Sequence, residues 1–263
     1  MRPNAFLLKS AVAASLGGLL FGFDTAVIAG ATRSLTALYH LTATSLGITV
    51  SSALAGTILG AMFAGLLGDR LGRRDGLRVM AILYIISALG SAFAPAWYWL
   101  IFARFIGGLG IGGSSVLGPM YIAEISPPQW RGRLVGMFQF NIVFGILLAY
   151  LSNFLIGTLG FGDAEWRCKL GVSAIPAALL LGTLYGIPRS PRWLVKQQRF
   201  NEARDVLRAS GNPAYEEQLR EIVDSLRSEQ SNAPALRIAV HPQIPVPDLP
   251  CGFDRSLQPV FRN

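Results

Sequence analysis

The sequence predicts an all-α membrane protein, with six transmembrane helices followed by short cytoplasmic helices. Three observations carry this. Apolar residues make up 52% of the 263-residue chain and charged residues only 14%, where a soluble domain carries roughly 25% charge. Apolar stretches long enough to cross a ~30 Å hydrocarbon core recur about six times. The connections between them alternate between rich and poor in basic residues.

The first stretch lies near residues 8–31 and is apolar from Leu16 to Gly30 except at Asp24. The second lies near 46–67. The third, near 78–95, is short and is expected to extend into Ala96 and Trp97. The fourth, near 98–121, is interrupted by Arg104. The fifth and sixth lie near 134–157 and 168–187, and the composition changes after Pro188. Gly18/Gly22, Gly56/Gly60 and Gly108/Gly112 share the four-residue spacing that lets two helix backbones approach closely. Residues 200–230 are charged, with Leu219, Ile222, Val223 and Leu226 on one apolar stripe. They read as short cytoplasmic helices under the bundle. Six of the fifteen prolines fall in residues 232–263, which show no amphipathic period and read as disordered. The expected organisation is a six-helix bundle over 1–187, a cytoplasmic helical segment over 188–231 and a disordered tail over 232–263.

The net charge of +8 is not spread as in a nucleic-acid-binding protein. Arg2 and Lys9 precede or open the first span. Arg70, Arg73, Arg74 and Arg78 lie between the second and third. Arg131 and Arg133 lie between the fourth and fifth, and Arg189, Arg192, Lys196 and Arg199 follow the sixth. The alternate connections hold Arg33 alone, then none, then Arg167 and Lys169 offset by Asp163 and Glu165. This is the positive-inside pattern, with both chain ends cytoplasmic, as in a bacterial inner membrane. A signal peptide ending at Ala29-Gly30-Ala31 is disfavoured, because Asp24 breaks its apolar region and five more spans follow. Cys168 and Cys251 are too few and too distant for a disulfide framework or a metal site. Gly107 to Gly113 lies within an apolar span and follows no strand, which excludes a dinucleotide loop. An intramembrane serine protease is excluded because His40 and His241 lie outside the spans, leaving Ser114 and Ser115 without a base. No cofactor, metal or enzymatic chemistry is expected, and membrane lipid is the expected surrounding.

Asp24 and Arg104 carry the functional signal. A carboxylate inside a span costs on the order of 2.5–3.5 kcal/mol, so it normally has a partner or a water-filled cavity. Each residue lies about seven positions from the outer end of its span, roughly 10 Å deep at ~1.5 Å per residue. The two can meet if their helices are neighbours. One reading is a protonatable carboxylate balanced by an arginine, whose protonation frees Arg104 and alters helix packing. The other is a permanent ion pair holding two helices together.

Four separated motifs occur in one order. Gly65-Leu-Leu-Gly-Asp69-Arg70-Leu-Gly72-Arg73-Arg74 resembles the short cytoplasmic signature of the major facilitator superfamily. Pro119-Met-Tyr-Ile-Ala-Glu124, followed by Arg131-Gly-Arg133, resembles the end of the fourth helix in its sugar porters. Pro188-Arg189-Ser-Pro191-Arg192-Trp193-Leu194 resembles their signature after the sixth helix, and Phe21-Gly-Phe-Asp24-Thr resembles the first helix of proton-coupled members. The resemblance covers about residues 8–230.

The resemblance implies the N-terminal six-helix half of a major facilitator fold, two such halves moving hexoses or pentoses by alternating access. It implies that Asp24 and Arg104 couple protons, that Gln139 binds a sugar hydroxyl and that Phe21 lines the site. It implies a cytoplasmic charge network of Asp69, Arg73, Arg74, Glu124, Arg131, Arg133 and Arg192 that latches the outward-facing state. An amide suits Gln139 because it both donates and accepts hydrogen bonds. Alternatives stand beside each role: a helix–helix hydrogen bond for Gln139, packing or lipid contact for Phe21, and topology alone for the charges. Two positions depart from the family pattern. Arg189 stands where Glu is usual, so the latch loses an acidic partner, and Ile146 stands where some members carry a second Gln.

Sugar porters have about twelve spans, and this sequence shows six. A truncated or frameshifted reading frame after about Ser231 is the expectation. A second copy or a separate half-transporter could cover the surface that faces the other half. The competing functions are a sugar–proton symporter or its half, a non-transporting fragment, and a major facilitator transporter of another small solute.

Overall fold

The computed structural model describes residues 4–231. The expected disordered or frameshifted tail over 232–263, with His241 and Cys251, lies outside the described residues. Among the described residues, six helices are long and apolar enough to cross a membrane. They are α1 (Ala5–Tyr39), α2 (Ala43–Leu71), α3 (Arg73–Ala92), α4 (Trp97–Ile125), α5 (Pro128–Thr158), and the pair α6 (Glu165–Gly171) and α7 (Ala174–Leu184) taken as one stretch. Short helices α8 (Pro191–Lys196), α9 (Phe200–Ala209) and α10 (Tyr215–Ser231) follow.

Local chemistry sets these boundaries. The Asn4 side chain caps α1 by accepting from the Phe6 amide, and its own amide donates to the Ala209 carbonyl at 3.0 Å, tying α9 beneath α1. α1 runs eight residues past the expected end at Ala31, because Leu35 continues the buried stripe and His40 closes the helix in the left-handed conformation. α3 ends at Ala92 rather than extending into Ala96 and Trp97. Pro95 disfavours helix at Ala94, and the Arg167 guanidinium takes up the Ala92 and Ala94 carbonyls at 3.0 Å each. α5 begins at Pro128, six residues earlier than expected, since proline fits the first turn of a helix. Arg131 and Arg133 therefore lie on α5, not in a loop.

The sixth span, expected as one helix over 168–187, is broken at Val172 and Ser173. Pro176 has no N–H to give the Val172 carbonyl. That carbonyl accepts instead from Ile175 at 3.0 Å, a tighter three-residue turn.

Packing follows the glycine spacing. α1 lies against α5 and α2 against α4 so closely that a methyl group at Gly22 would stand 1.9 Å from the Ile142 carbonyl oxygen. One at Gly112 would stand 2.0 Å from that of Thr57, and Gly56, Gly60 and Gly108 are equally tight. Close backbone approach of this kind replaces the hydrophobic driving force that lipid removes. α4 also packs on α3, and α7 on α3 and α1. Two apolar clusters fill the bundle, one around Leu77, Tyr84, Leu117, Tyr121 and Leu180, the other around Phe23, Val27, Leu100 and Trp166. A third, with Trp193, Leu207, Leu219, Val223 and Leu226, unites α8, α9 and α10. The outward faces of α2 and α5 are apolar and exposed, including Ile58, Met62, Phe63, Phe140, Leu147 and Phe154. Such faces suit an apolar surrounding, whether hydrocarbon or a packed partner, since the helix backbone satisfies its own hydrogen bonds.

The ends of the bundle differ. At one, called here the basic end, α2 meets α3 and α7 meets α8. At the other, Lys169 donates to the Gly30 carbonyl at 3.0 Å and pairs with Glu165, and the Trp97 indole donates to Thr49 at 2.8 Å.

Gly22→Ala is expected to destabilise the bundle by about 1–3 kcal/mol through overpacking. Gly65→Ala, whose added methyl meets nothing within 4 Å, is expected to be neutral or to stabilise by up to about 1 kcal/mol. Thermal unfolding of the detergent-purified proteins measures both.

Candidate functional site

The bundle brings Asp24 of α1 and Arg104 of α4 together. Both are buried. Arg104 Nη1 donates to Asp24 Oδ1 at 2.6 Å and Nη2 to Oδ2 at 3.0 Å, a two-pronged pair. Such pairs combine charge with fixed geometry, which a lysine could not reproduce. A third donor comes from α3: the Tyr84 hydroxyl lies 3.2 Å from Asp24 Oδ1. A small recess beside the pair is lined by Ser87 and Ser91 of α3 and by Leu170 and Ser173 at the break of the sixth span. Arg104 Nε and Ser91 Oγ are buried there without a hydrogen-bond partner among the described residues.

A second cluster forms at the basic end. Gly72 turns the chain from α2 to α3 with φ +90°, and the Trp193 ring packs over it. The turn buries Arg73, which donates to the Gly68 carbonyl at 2.9 Å, to Asp69 at 3.0 Å and to Glu124 of α4 at 3.0 Å. Glu124 also accepts from the Ser190 hydroxyl, and Arg192 acts on it electrostatically. Lys196 reaches Asp69 at 3.0 Å. The residues Asp69, Arg73, Glu124 and Arg192 thus share one cluster.

Arg74 belongs to a neighbouring group centred on Asp75. Asp75 holds Arg74 at 3.1 Å, Arg78 at 2.7 Å and Arg189 at 3.2 Å. Arg74 and Arg78 also take the Ile187 and Leu184 carbonyls, closing the end of α7. Arg189, which stands where an acidic residue is usual, thereby finds its counterion in Asp75. Arg131 and Arg133 stand apart: both are exposed at the start of α5, and Arg133 lies 5.1 Å over the Trp130 ring.

Phe21 is partly buried and packs against the first apolar cluster. Gln139 is exposed on α5, and its side chain has no hydrogen bond among the described residues. The helix–helix hydrogen bond weighed for Gln139 is made by Asn141, whose amide donates to Ser15 of α1 at 2.7 Å. Sequence reasoning passed over Tyr84, Asp75, Ser190 and Lys196. Asp75 had a readable signal, since it lies three residues before Arg78 on a helix. Ser190 before Pro191 also carried one, the signature of a helix start.

Among the described residues, six helices apolar enough to cross a membrane surround a buried ion pair, with clustered charges at one end, the arrangement of an integral membrane protein. The family described as "Sugar (and other) transporter" matches residues 10–242, and the chain belongs to this sugar porter family of the major facilitator superfamily. It is 41% identical over 230 residues to the arabinose-proton symporter of Bacillus subtilis, covering 86% of this chain and 50% of that one. It is 38% identical over 256 residues to the D-xylose-proton symporter of Escherichia coli, covering 85% and 52%. The solved proton:xylose symporter XylE, bound to 6-bromo-6-deoxy-D-glucose, superposes with a TM-score of 0.83 at 36% identity, over 87% of this chain and 55% of that one. A partially occluded inward-open form of XylE from E. coli gives 0.81 at 37% identity, over 86% and 61%. The chain spans about half the length of the curated relatives it matches.

Asp24→Asn leaves the Arg104 guanidinium buried without its anion and is expected to cost about 3–5 kcal/mol. Adding Arg104→Met is expected to restore much of that loss. A double-mutant cycle on thermal unfolding in detergent measures the coupling.

Proposed function

We propose that this chain works as the N-terminal half of a proton-coupled sugar porter that moves a pentose or hexose by alternating access. The observation that carries the proposal is the two-pronged Asp24–Arg104 pair, buried between α1 and α4. A proton arriving on Asp24 cancels its charge, and Arg104 loses the anion that offsets its burial. The packing of α1 against α4 that suits the charged pair is then no longer the most stable one. Proton binding thereby biases the helix arrangement, as coupling requires.

In this reading the basic end faces the cytoplasm of a bacterial inner membrane, with both termini on that side. The distribution of arginines supports that orientation. The cluster of Asp69, Arg73, Glu124 and Arg192, with Arg74 beside it, latches that end, and Arg131 and Arg133 await partners from a second half. Residues 1–187 act as the transport bundle and 188–231 as a cytoplasmic helical brace. Gln139 supplies a hydrogen-bonding amide to the sugar from the exposed face of α5, with Phe21 lining the path. The remaining sugar ligands come from a second six-helix half.

The test is uptake of radiolabelled xylose, arabinose and glucose in transport-deficient bacteria. Cells carry the 263-residue chain alone, or together with the C-terminal half of the E. coli D-xylose-proton symporter as a separate chain. Uptake driven by a pH gradient is expected with both halves, and is expected to fall at least tenfold in Asp24→Asn. Sugar uptake that ignores the pH gradient and survives Asp24→Asn overturns the proton-coupling role. Absence of uptake in every combination, with membrane insertion confirmed, overturns the transport reading.

A further inference from the structure

Tyr84 has no role in the reading above, yet it touches the centre of it. It lies midway along α3, is 2% exposed, and donates to the same Asp24 oxygen that Arg104 Nη1 holds at 2.6 Å. Its neighbours Leu83 and Ile85 pack against the apolar cluster, as does the ring itself. A phenol buried among such groups costs free energy unless its hydroxyl is bonded. Here the partner is the carboxylate.

Among the described residues, the other elements around Asp24 bring no further titratable side chain to it. α5 meets this part of α1 with Ile142, Gly145 and Ala149. The break between α6 and α7 contributes Leu170 and Ser173, while Lys169 is turned to Glu165 and the Gly30 carbonyl. Asp24 is thus governed by two donors, Arg104 from α4 and Tyr84 from α3.

We infer that Tyr84 is a positioning residue of the Asp24–Arg104 couple, serving both of its protonation states through one hydroxyl. This rests on the proton-coupling reading of the pair. With Asp24 charged, the phenol donates to Oδ1 and favours the carboxylate. With Asp24 protonated, the new carboxyl O–H donates to the phenol oxygen, which accepts as readily as it donates. The transferred proton stays on Asp24, and Tyr84 keeps its own throughout. The released guanidinium then faces the hydroxyls of Ser87, Ser91 and Ser173 across the recess, where Arg104 Nε and Ser91 Oγ have no hydrogen-bond partner among the described residues. A phenylalanine at 84 would keep the packing and remove the hydroxyl from both states.

The test reads Asp24 directly and needs neither sugar nor transport. The full chain in lipid vesicles is treated with a hydrophobic carbodiimide, which adds to protonated carboxyls in apolar surroundings. The labelled Asp24 peptide is quantified by mass spectrometry across a pH series, with Asp24→Asn as the blank. Labelling of the unaltered protein is expected to fall as pH rises. Tyr84→Phe is expected to move the midpoint upward by about one pH unit, because the bond to the carboxylate is stronger than the bond to the protonated acid. Placing 3-fluorotyrosine at 84, a stronger donor of the same shape, is expected to move it downward. Tyr150→Phe, on the exposed face of α5, is expected to leave it in place. A midpoint unmoved in a folded Tyr84→Phe protein overturns the inference. If that variant does not fold, an unmoved midpoint with 3-fluorotyrosine overturns it. Labelling of the unaltered protein that is absent or independent of pH overturns the coupling reading itself, and this inference with it.

Discussion

An aspartate and an arginine sit paired inside a bundle that must live in hydrocarbon, and the rest of the structure is arranged around that fact. Neither charge is tolerable there alone. Together they are tolerable when two helices hold them in register. α1 and α4 do this, each gripped from outside by a flanking helix, α5 and α2, at glycines where backbone meets backbone. The tight pairs leave the central helices little room to rotate, so the carboxylate finds both guanidinium nitrogens at bonding distance. A buried pair contributes little net stability compared with apolar side chains, whereas loss of one partner alone leaves a costly uncompensated charge.

Charge at the basic end is handled by a different rule. Arg73 is buried, but it is surrounded by a carbonyl and two carboxylates, and Glu124 in turn meets a serine hydroxyl. The arginines around Asp75 also reach free carbonyls at the end of α7, where the helix dipole favours cations. Arg189 shows how such a cluster absorbs a reversed charge: it pairs with Asp75 and stacks over Trp193 at 4.9 Å. The acid that answers it lies on α3, far away in sequence.

Much of this was legible from residue order alone. Asp24 and Arg104 stood out because each interrupts an apolar run, and counting along the two helices put them at one depth. The glycine pairs were legible because small residues four apart share a helix face. Tyr84 was not, because a tyrosine in a run such as Ile82 to Ile86 reads as one more apolar residue until its hydroxyl is seen to have a partner. The division of the sixth span was missed because Pro176 acts on a carbonyl four residues back, which hydropathy does not register. Arg131 and Arg133 fall on a helix rather than in the connection for a related reason: Pro128 opens α5. Exposure of Gln139 was beyond reach, since sequence periodicity places a residue on a face without saying what that face meets.

The stitching at the end away from the charges has a mechanical consequence. There Arg167 grips the α3 carbonyls, Lys169 grips that of Gly30 on α1, and the Trp97 indole holds α2 to α4. None of these bonds runs through Asp24. In the proposed cycle that seam would serve as a fulcrum. A tilt among these helices would have its smallest lever arm there and its largest swing at the other end, where ion pairs add to the carbonyl bonds.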